Sequence, residues 1–201
     1  MESRAARGCS LCAERKQALS PSWVKGEHER ASSLPEAWVD LIHRVVTDVG
    51  RMSRALVDGL REHGIDDAVY VEILGTCAFA MSLDVFHRAA GMARLPAPTP
   101  QPGEPSRRRP ALVEDVGGWV PVLSKRDAEA KALWADMLRA SNVARALSLV
   151  PAQAREQLNL IQAQYVPMSA IASMEIEGRA LGRDQIELVA GRTSAINECF
   201  Y

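Results

Sequence analysis

Cys9 and Cys12 stand three residues apart in Arg7-Gly8-Cys9-Ser10-Leu11-Cys12. On a helix that spacing puts two thiols on one face, where they can act as a dithiol. A nucleophilic thiol must be a thiolate, and a neighbouring cation, base or helix N-terminus favours that form. Lys16 stands four residues beyond Cys12, with Arg15 beside it. A cation there favours the thiolate, although lysine is a poor proton shuttle at neutral pH. A redox dithiol and a simple reduced pair are the two main readings. Half of a zinc site is a lesser alternative, because no second Cys/His pair has ligand spacing. The other chemistry-bearing stretch is 182–201, GRDQIELVAGRTSAINECFY, which carries Glu187 and Cys199. Twelve residues along a straight helix cover about 18 Å, so Cys199 reaches Glu187 only if the chain turns near Asn197. Cys9 or Cys12 is expected near Glu187 in space.

The remaining titratable groups read more plainly. Cys77 falls on an apolar helix and is expected as a small core residue. Asp84 and His87 are three apart and can pair. His43 lies near Asp40 and Asp48, while His28 and His63 read as solvent-facing. The sequence shows no Gly-rich phosphate loop, no Ser-His-Asp order and no His-x-x-x-His pair. No metal or cofactor is expected.

Helices must position these groups. Residues 4–19 read as a helix holding Cys9 and Cys12, ended by Pro21. Pro35 opens the next helix in its first turn, with Trp38, Leu41, Ile42, Val45, Val46 and Val49 as its apolar stripe. Ser53 caps a short helix closed by Gly64. Asp66 or Asp67 caps a long helix to about Ala90, apolar on nearly every side and so expected as the most buried of the first half. The run 96–110 holds six prolines and Arg107, Arg108 and Arg109, and reads as an extended, solvated linker. Helical patterning resumes near Asp127. Asn142 caps a segment to Val150, Pro151 stops it, and 152–164 is helical with Leu158 and Ile161 inward. Residues 168–181 read as weakly patterned helix, and Asp184 caps the last one.

These elements give an all-α, multi-helix bundle of two halves, 1–92 and 117–201, joined by a Pro/Arg-rich linker at 93–116. The totals agree: 201 residues, 47% hydrophobic, 24% charged and only 5% aromatic. A net charge of −1 makes no electrostatic case for nucleic acid or an anionic membrane. The polar N-terminus does not read as a signal peptide, and no run reads as transmembrane. The expected compartment is the cytoplasm, where thiols stay reduced.

The run Arg192-Thr193-Ser194-Ala195-Ile196-Asn197-Glu198-Cys199-Phe200-Tyr201 resembles the approach to the redox site of the alkylhydroperoxidase-D-like / carboxymuconolactone decarboxylase family. In that family a Cys-x-x-Cys-x-x-x-His motif lies downstream of a glutamate, about three turns on. Glu187 and Cys199 match the glutamate and first cysteine, and the chain stops at Tyr201, one residue before the second cysteine is due. The order Ala37–Asp48, His63-Gly64-Ile65-Asp66-Asp67 and Val71–Phe86 resembles the family's helices after the motif, with Cys9 and Cys12 where the pair should sit. Residues 112–201 resemble the family's helices before it, so the halves stand in swapped order. Three arrangements account for this: the middle of a tandem protein, favoured by the stop at Tyr201; a permuted domain; or halves pairing between subunits. Departures from the family are Lys16 in place of the histidine and Glu2, too close to Cys9 to serve as its glutamate.

The resemblance implies a thiol-dependent peroxidase that reduces hydroperoxides, with Cys9, Cys12, Glu187 and Cys199 as catalytic residues. It implies a small thiol or thiol protein as reductant and a trimeric or hexameric assembly. One alternative is a decarboxylase-type acid–base enzyme needing no cysteine; another is a non-catalytic helical domain for oligomerisation or accessory roles.

Overall fold

The computed structural model describes all residues except 100–101, 104–107, 136, 138–139, 168–169, 172, 174, 177, 198 and 200–201. The chain is mostly helical. The N-terminal region does not form one helix through residues 4–19. It breaks into α1 (Glu2–Ala6) and α2 (Ser10–Gln17), because Cys9 takes extended backbone as the N-cap of α2. After α2 the chain runs without regular structure, apart from a 3-10 turn at Pro21–Trp23, as far as Pro35.

Pro35 is the N-cap of α3 (Glu36–Thr47), whose buried face is Val39, Leu41, Ile42 and His43. The Ser53 hydroxyl accepts from Leu56 N–H and opens α4 (Arg54–Gly59). Gly64, at φ +76°, closes the following 3-10 turn in the left-handed region that glycine enters without strain. The Asp66 carboxylate accepts from the N–H groups of Ala68 and Val69 and opens α5 (Asp67–Ala89).

By length and composition α5 could cross a membrane, with a mean hydropathy of 1.6. It is not uniformly buried, contrary to the expectation from its apolar sequence. It packs against α3 and the later helix α8 (Pro151–Gln164), with Ser82 meeting Gln164 of α8 and Asp84 pairing with Arg4 of α1. Its second half shows Phe79, Val85 and Phe86 to solvent at 39–50% exposure. Gly75 marks the tight crossing with α8: a Cβ there would fall 2.2 Å from the Gln153 side-chain oxygen.

Beyond the proline-rich run, β1 (Val113–Glu114) pairs antiparallel with β2 (Val122–Leu123) in a two-residue ladder. Arg109 pairs with Asp66 and Arg108 with Glu129, and both arginines stay exposed at the surface; Arg107 lies outside the described residues. Then come α6 (Ala128–Leu133), capped by Asp127, and the single-turn α7 (Asn142–Arg145), capped by Ser141 rather than Asn142. Pro151 opens α8 instead of stopping its predecessor, since a first-turn residue needs no N–H partner. Between Gln164 and Arg183 the described residues hold no α-helix. The last helix, α9 (Arg183–Ile196), starts from Gly182, with Asp184 in its first turn rather than at its cap.

One hydrophobic core draws on both halves: Leu41, Ile65 and Val71 from the first, Leu123, Leu149 and Ala154 from the second. A second, smaller cluster stands apart from it and consists of Cys9, Leu11 and Cys12, with Val24 against it.

Candidate metal centre

The small cluster is where the chemistry collects. Cys9, Cys12, His28 and His43 are all buried, and their four donor atoms lie within 4.8 Å of one another. Three sequence-distant segments meet here. The N-cap and first turn of α2 supply the sulfurs, the irregular segment after α2 brings His28, and the buried face of α3 presents His43. Gly26 lets that segment pass close over α2, since a Cβ there would come within 3.1 Å of Leu11 Cδ1.

The contacts are specific. Cys9 Sγ lies 3.7 Å from His28 Nδ1, Cys12 Sγ 3.6 Å from His28 Nδ1, and Cys12 Sγ 3.3 Å from His43 Nδ1. The imidazole centroids are 4.3 Å apart. A tetrahedron built on Zn–S and Zn–N bonds of about 2.3 and 2.05 Å has S···N edges of about 3.6 Å. Three of the four S···N edges, at 3.7, 3.6 and 3.3 Å, bracket that value, and all donor pairs lie within 4.8 Å. A Cys12 thiol, by contrast, has one S–H and cannot serve both facing imidazoles.

The outward nitrogens fix how the rings are used. His28 Nε2 lies 2.9 Å from Asp40 Oδ1, and His43 Nε2 lies 3.1 Å from Glu2 Oε1. An ionised carboxylate only accepts, so His43 Nε2 carries the hydrogen and its Nδ1 turns a lone pair toward Cys12. His28 Nε2 faces the accepting Asp40 carboxylate and, at 3.1 Å, the donating Arg15 guanidinium; with its hydrogen directed to Asp40, His28 Nδ1 likewise offers a lone pair to the sulfurs. A histidine held by a carboxylate on its far nitrogen is the arrangement that orients imidazole ligands around metals. Asp40 also accepts from Arg15 at 2.6 Å and Arg44 at 2.6 Å. Glu2 further accepts from Ala31 N–H and Ser32 Oγ.

Charge balances around a divalent cation. Two thiolates offset its two positive charges, and Asp40 is paired with both Arg15 and Arg44, while Glu2 is held by His43, Ala31 and Ser32. Burial works against the Asp40 carboxylate, but hydrogen bonds from His28, Arg44 and Arg15 hold it down at about 2. Burial likewise opposes ionised Glu2, yet Ser32 and His43 keep its carboxyl below the ordinary range. Burial pushes the His43 imidazole toward its neutral, ligating form. The two thiols part company. Burial raises Cys12 to about 11. For Cys9 burial acts in the same direction, but hydrogen bonds from the Glu29 and Cys12 backbone oppose it and bring the thiol down.

The residues expected to act together divide among separate places. Cys9 and Cys12 partner His28 and His43. Glu187 accepts from Tyr165 and from Arg183, both at 2.5 Å. The exposed Cys199 lies past the C-terminal end of α9, where its N–H meets Ser194 O at 2.9 Å. Glu198, Phe200 and Tyr201 lie outside the described residues. Cys77 is buried, as its helix position implies. Asp84 does not pair with His87: it takes a two-bond contact from Arg4, while His87 Nδ1 meets Leu83 O. His28, which reads from the sequence as solvent-facing, is 5% exposed, and Glu2, too close to Cys9 along the chain to serve it, is held against His43 instead.

No family model matches the chain, and neither a curated protein nor a solved structure matches it significantly.

Proposed function

We propose that this chain is a metal-binding helical protein whose Cys9, Cys12, His28 and His43 hold one Zn2+ in a structural role. The observation that carries this is the pair of carboxylate-held imidazoles facing two thiols at tetrahedral ligand spacing. Mixed thiolate and imidazole donors suit zinc, and four protein ligands leave no open position for a substrate. Physical need points the same way. While α1 packs on α3 and α5 and pairs with Asp84 through Arg4, three buried residues and Val24 make only a small apolar cluster to fasten α2 and the irregular segment after it. A cation bound to ligands from three segments supplies that fastening, since metal binding free energy becomes folding free energy.

The test is metal content. Protein made in zinc-supplemented cells and dialysed without chelator is expected to carry one zinc per chain by inductively coupled plasma mass spectrometry. His28→Ala and His43→Ala are expected to carry far less while α3, α5 and α8 stay folded by circular dichroism. A folded wild type that holds no metal at micromolar zinc overturns the proposal.

A second reading has one observation in its favour. Glu2, His43 and Cys12 form a continuous carboxylate–imidazole–thiol line, with Cys9 beside it. These are the group types that dithiol reduction of a hydroperoxide requires, as in the alkylhydroperoxidase-D-like proteins the sequence resembles. In a metal-free chain they would reduce a hydroperoxide at the expense of a thiol reductant, in the cytoplasm and within a homo-oligomer. Steady consumption of cumene hydroperoxide with dithiothreitol, lost in Cys9→Ser and Cys12→Ser, supports it; equal rates in all three remove it.

A further inference from the structure

Both sulfurs of the centre belong to one turn of backbone. Cys9 is the N-cap of α2 and Cys12 is its third residue. Their sulfurs lie within 4.8 Å of each other, a gap that side-chain rotation can close to the roughly 2.05 Å of a disulfide. His28 and His43 instead arrive from other segments, and each is held on its far nitrogen by a carboxylate. Half of the ligand set can therefore be consumed by one local reaction that leaves the other half in place. The sulfurs also sit only one layer down. Gly8, Ser10 and Ala13, which flank them, are exposed.

We infer that the centre is an oxidation-released clasp: peroxide joins Cys9 to Cys12, ejects the zinc and loosens residues 10–34 from α3. This rests on the zinc proposal above. In the first step one thiolate of the pair attacks hydrogen peroxide. An S–O bond forms, the O–O bond breaks, and the departing hydroxide takes a proton to become water, leaving a sulfenic acid. In the second step the other thiolate attacks that sulfur. The S–S bond forms, the S–O bond breaks, and the second hydroxide leaves as water with another proton. Two sulfurs lose two electrons in all, and the peroxide gains them. The cation keeps two imidazoles and no thiolate, a set too poor to retain it.

The remaining ties of the 18–34 segment are mainly polar contacts. Glu29 accepts from Ser10, Glu2 accepts from Ala31 and Ser32, Arg15 donates to Val24 O, Arg51 donates to Ala18 O, and His28 meets Asp40 of α3, which also accepts from Arg15 of α2. The large core shares no residue with the small cluster, so it does not depend on the sulfurs.

The experiment uses the full-length zinc-loaded chain carrying Cys77→Ala and Cys199→Ser, so that only the two clasp thiols remain. Zinc content is measured first, then the protein is titrated with hydrogen peroxide. Zinc release is monitored with a chromogenic chelator, disulfide by peptide mass spectrometry, and backbone exposure by hydrogen exchange. The expected result is one zinc released per Cys9–Cys12 disulfide formed, with exchange rising several-fold in residues 10–34 and unchanged in α5 and α8. Dithiothreitol plus zinc is expected to reverse both. Zinc-loaded protein that keeps its metal under peroxide, or that releases it while residues 10–34 stay protected, overturns the clasp and leaves the metal centre standing. A starting protein without zinc overturns both.

Discussion

Glu2 and His43 are 41 positions apart, yet Glu2 Oε1 sits 3.1 Å from His43 Nε2, with both residues buried. Through this contact the first residue of α1 orients an imidazole on α3 that faces Cys12. The same carboxylate accepts from Ala31 and Ser32, so it also pins the segment that delivers His28. One side chain thereby adjusts two ligands.

Glu2→Gln should weaken zinc binding without abolishing it. The amide keeps the size of the carboxylate and loses its charge. Removal of a partner that supports a metal-bound histidine lowers affinity by roughly 10–100-fold. Competition against a chelator of known affinity measures this. Unchanged affinity would mean that Glu2 serves only to hold α1.

The ligand pattern shows how much a sequence conceals. Ser53, Gly64 and Asp66 are legible because their capping is local: each side chain or backbone angle acts within three or four residues. Cys9 and Cys12 are legible as a pair for the same reason. His28 and His43 come at intervals of 16 and 15 positions, which match no local ligand spacing. The fold-back between Pro21 and Pro35 brings them together, and that segment has almost no regular structure and hence no periodicity to read. One signal is present in the sequence. His43 lies four residues after Val39 and beside buried Leu41 and Ile42, so α3 carries a histidine on its apolar face. The exposure of Phe79, Val85 and Phe86 is not legible, because an apolar helix sequence says how much could be buried, and neighbouring elements decide how much is.

Removing zinc should lower stability by an amount that grows with the logarithm of free zinc over its dissociation constant. A ligand that binds only the folded chain at a thousandfold excess over its dissociation constant contributes about 4 kcal/mol. Thermal melts with and without a chelator check this: the midpoint should fall on chelation and return when zinc is added back. A midpoint indifferent to the chelator would contradict a structural role.

Asp84 should set part of the acid limit of stability. Hydrogen bonds from Arg4 are the main cause that holds its carboxyl below the usual range, helped by the charges of Arg4, Arg94 and Arg7, while burial opposes. A carboxyl with a depressed folded-state pKa contributes stability above its unfolded value of about 3.9 and loses it as pH falls through the folded value. Asp84→Asn should therefore be less stable than wild type at pH 7 and lose less on acidification from pH 5 to pH 2. Urea midpoints across that range decide the matter; parallel curves would show that Asp84 adds nothing.

X-ray absorption at the zinc edge of the purified protein tests the four-ligand centre most directly. Two sulfur neighbours at about 2.3 Å and two nitrogen neighbours at about 2.0 Å are predicted. A shell of oxygen neighbours, or one lacking sulfur, would contradict it.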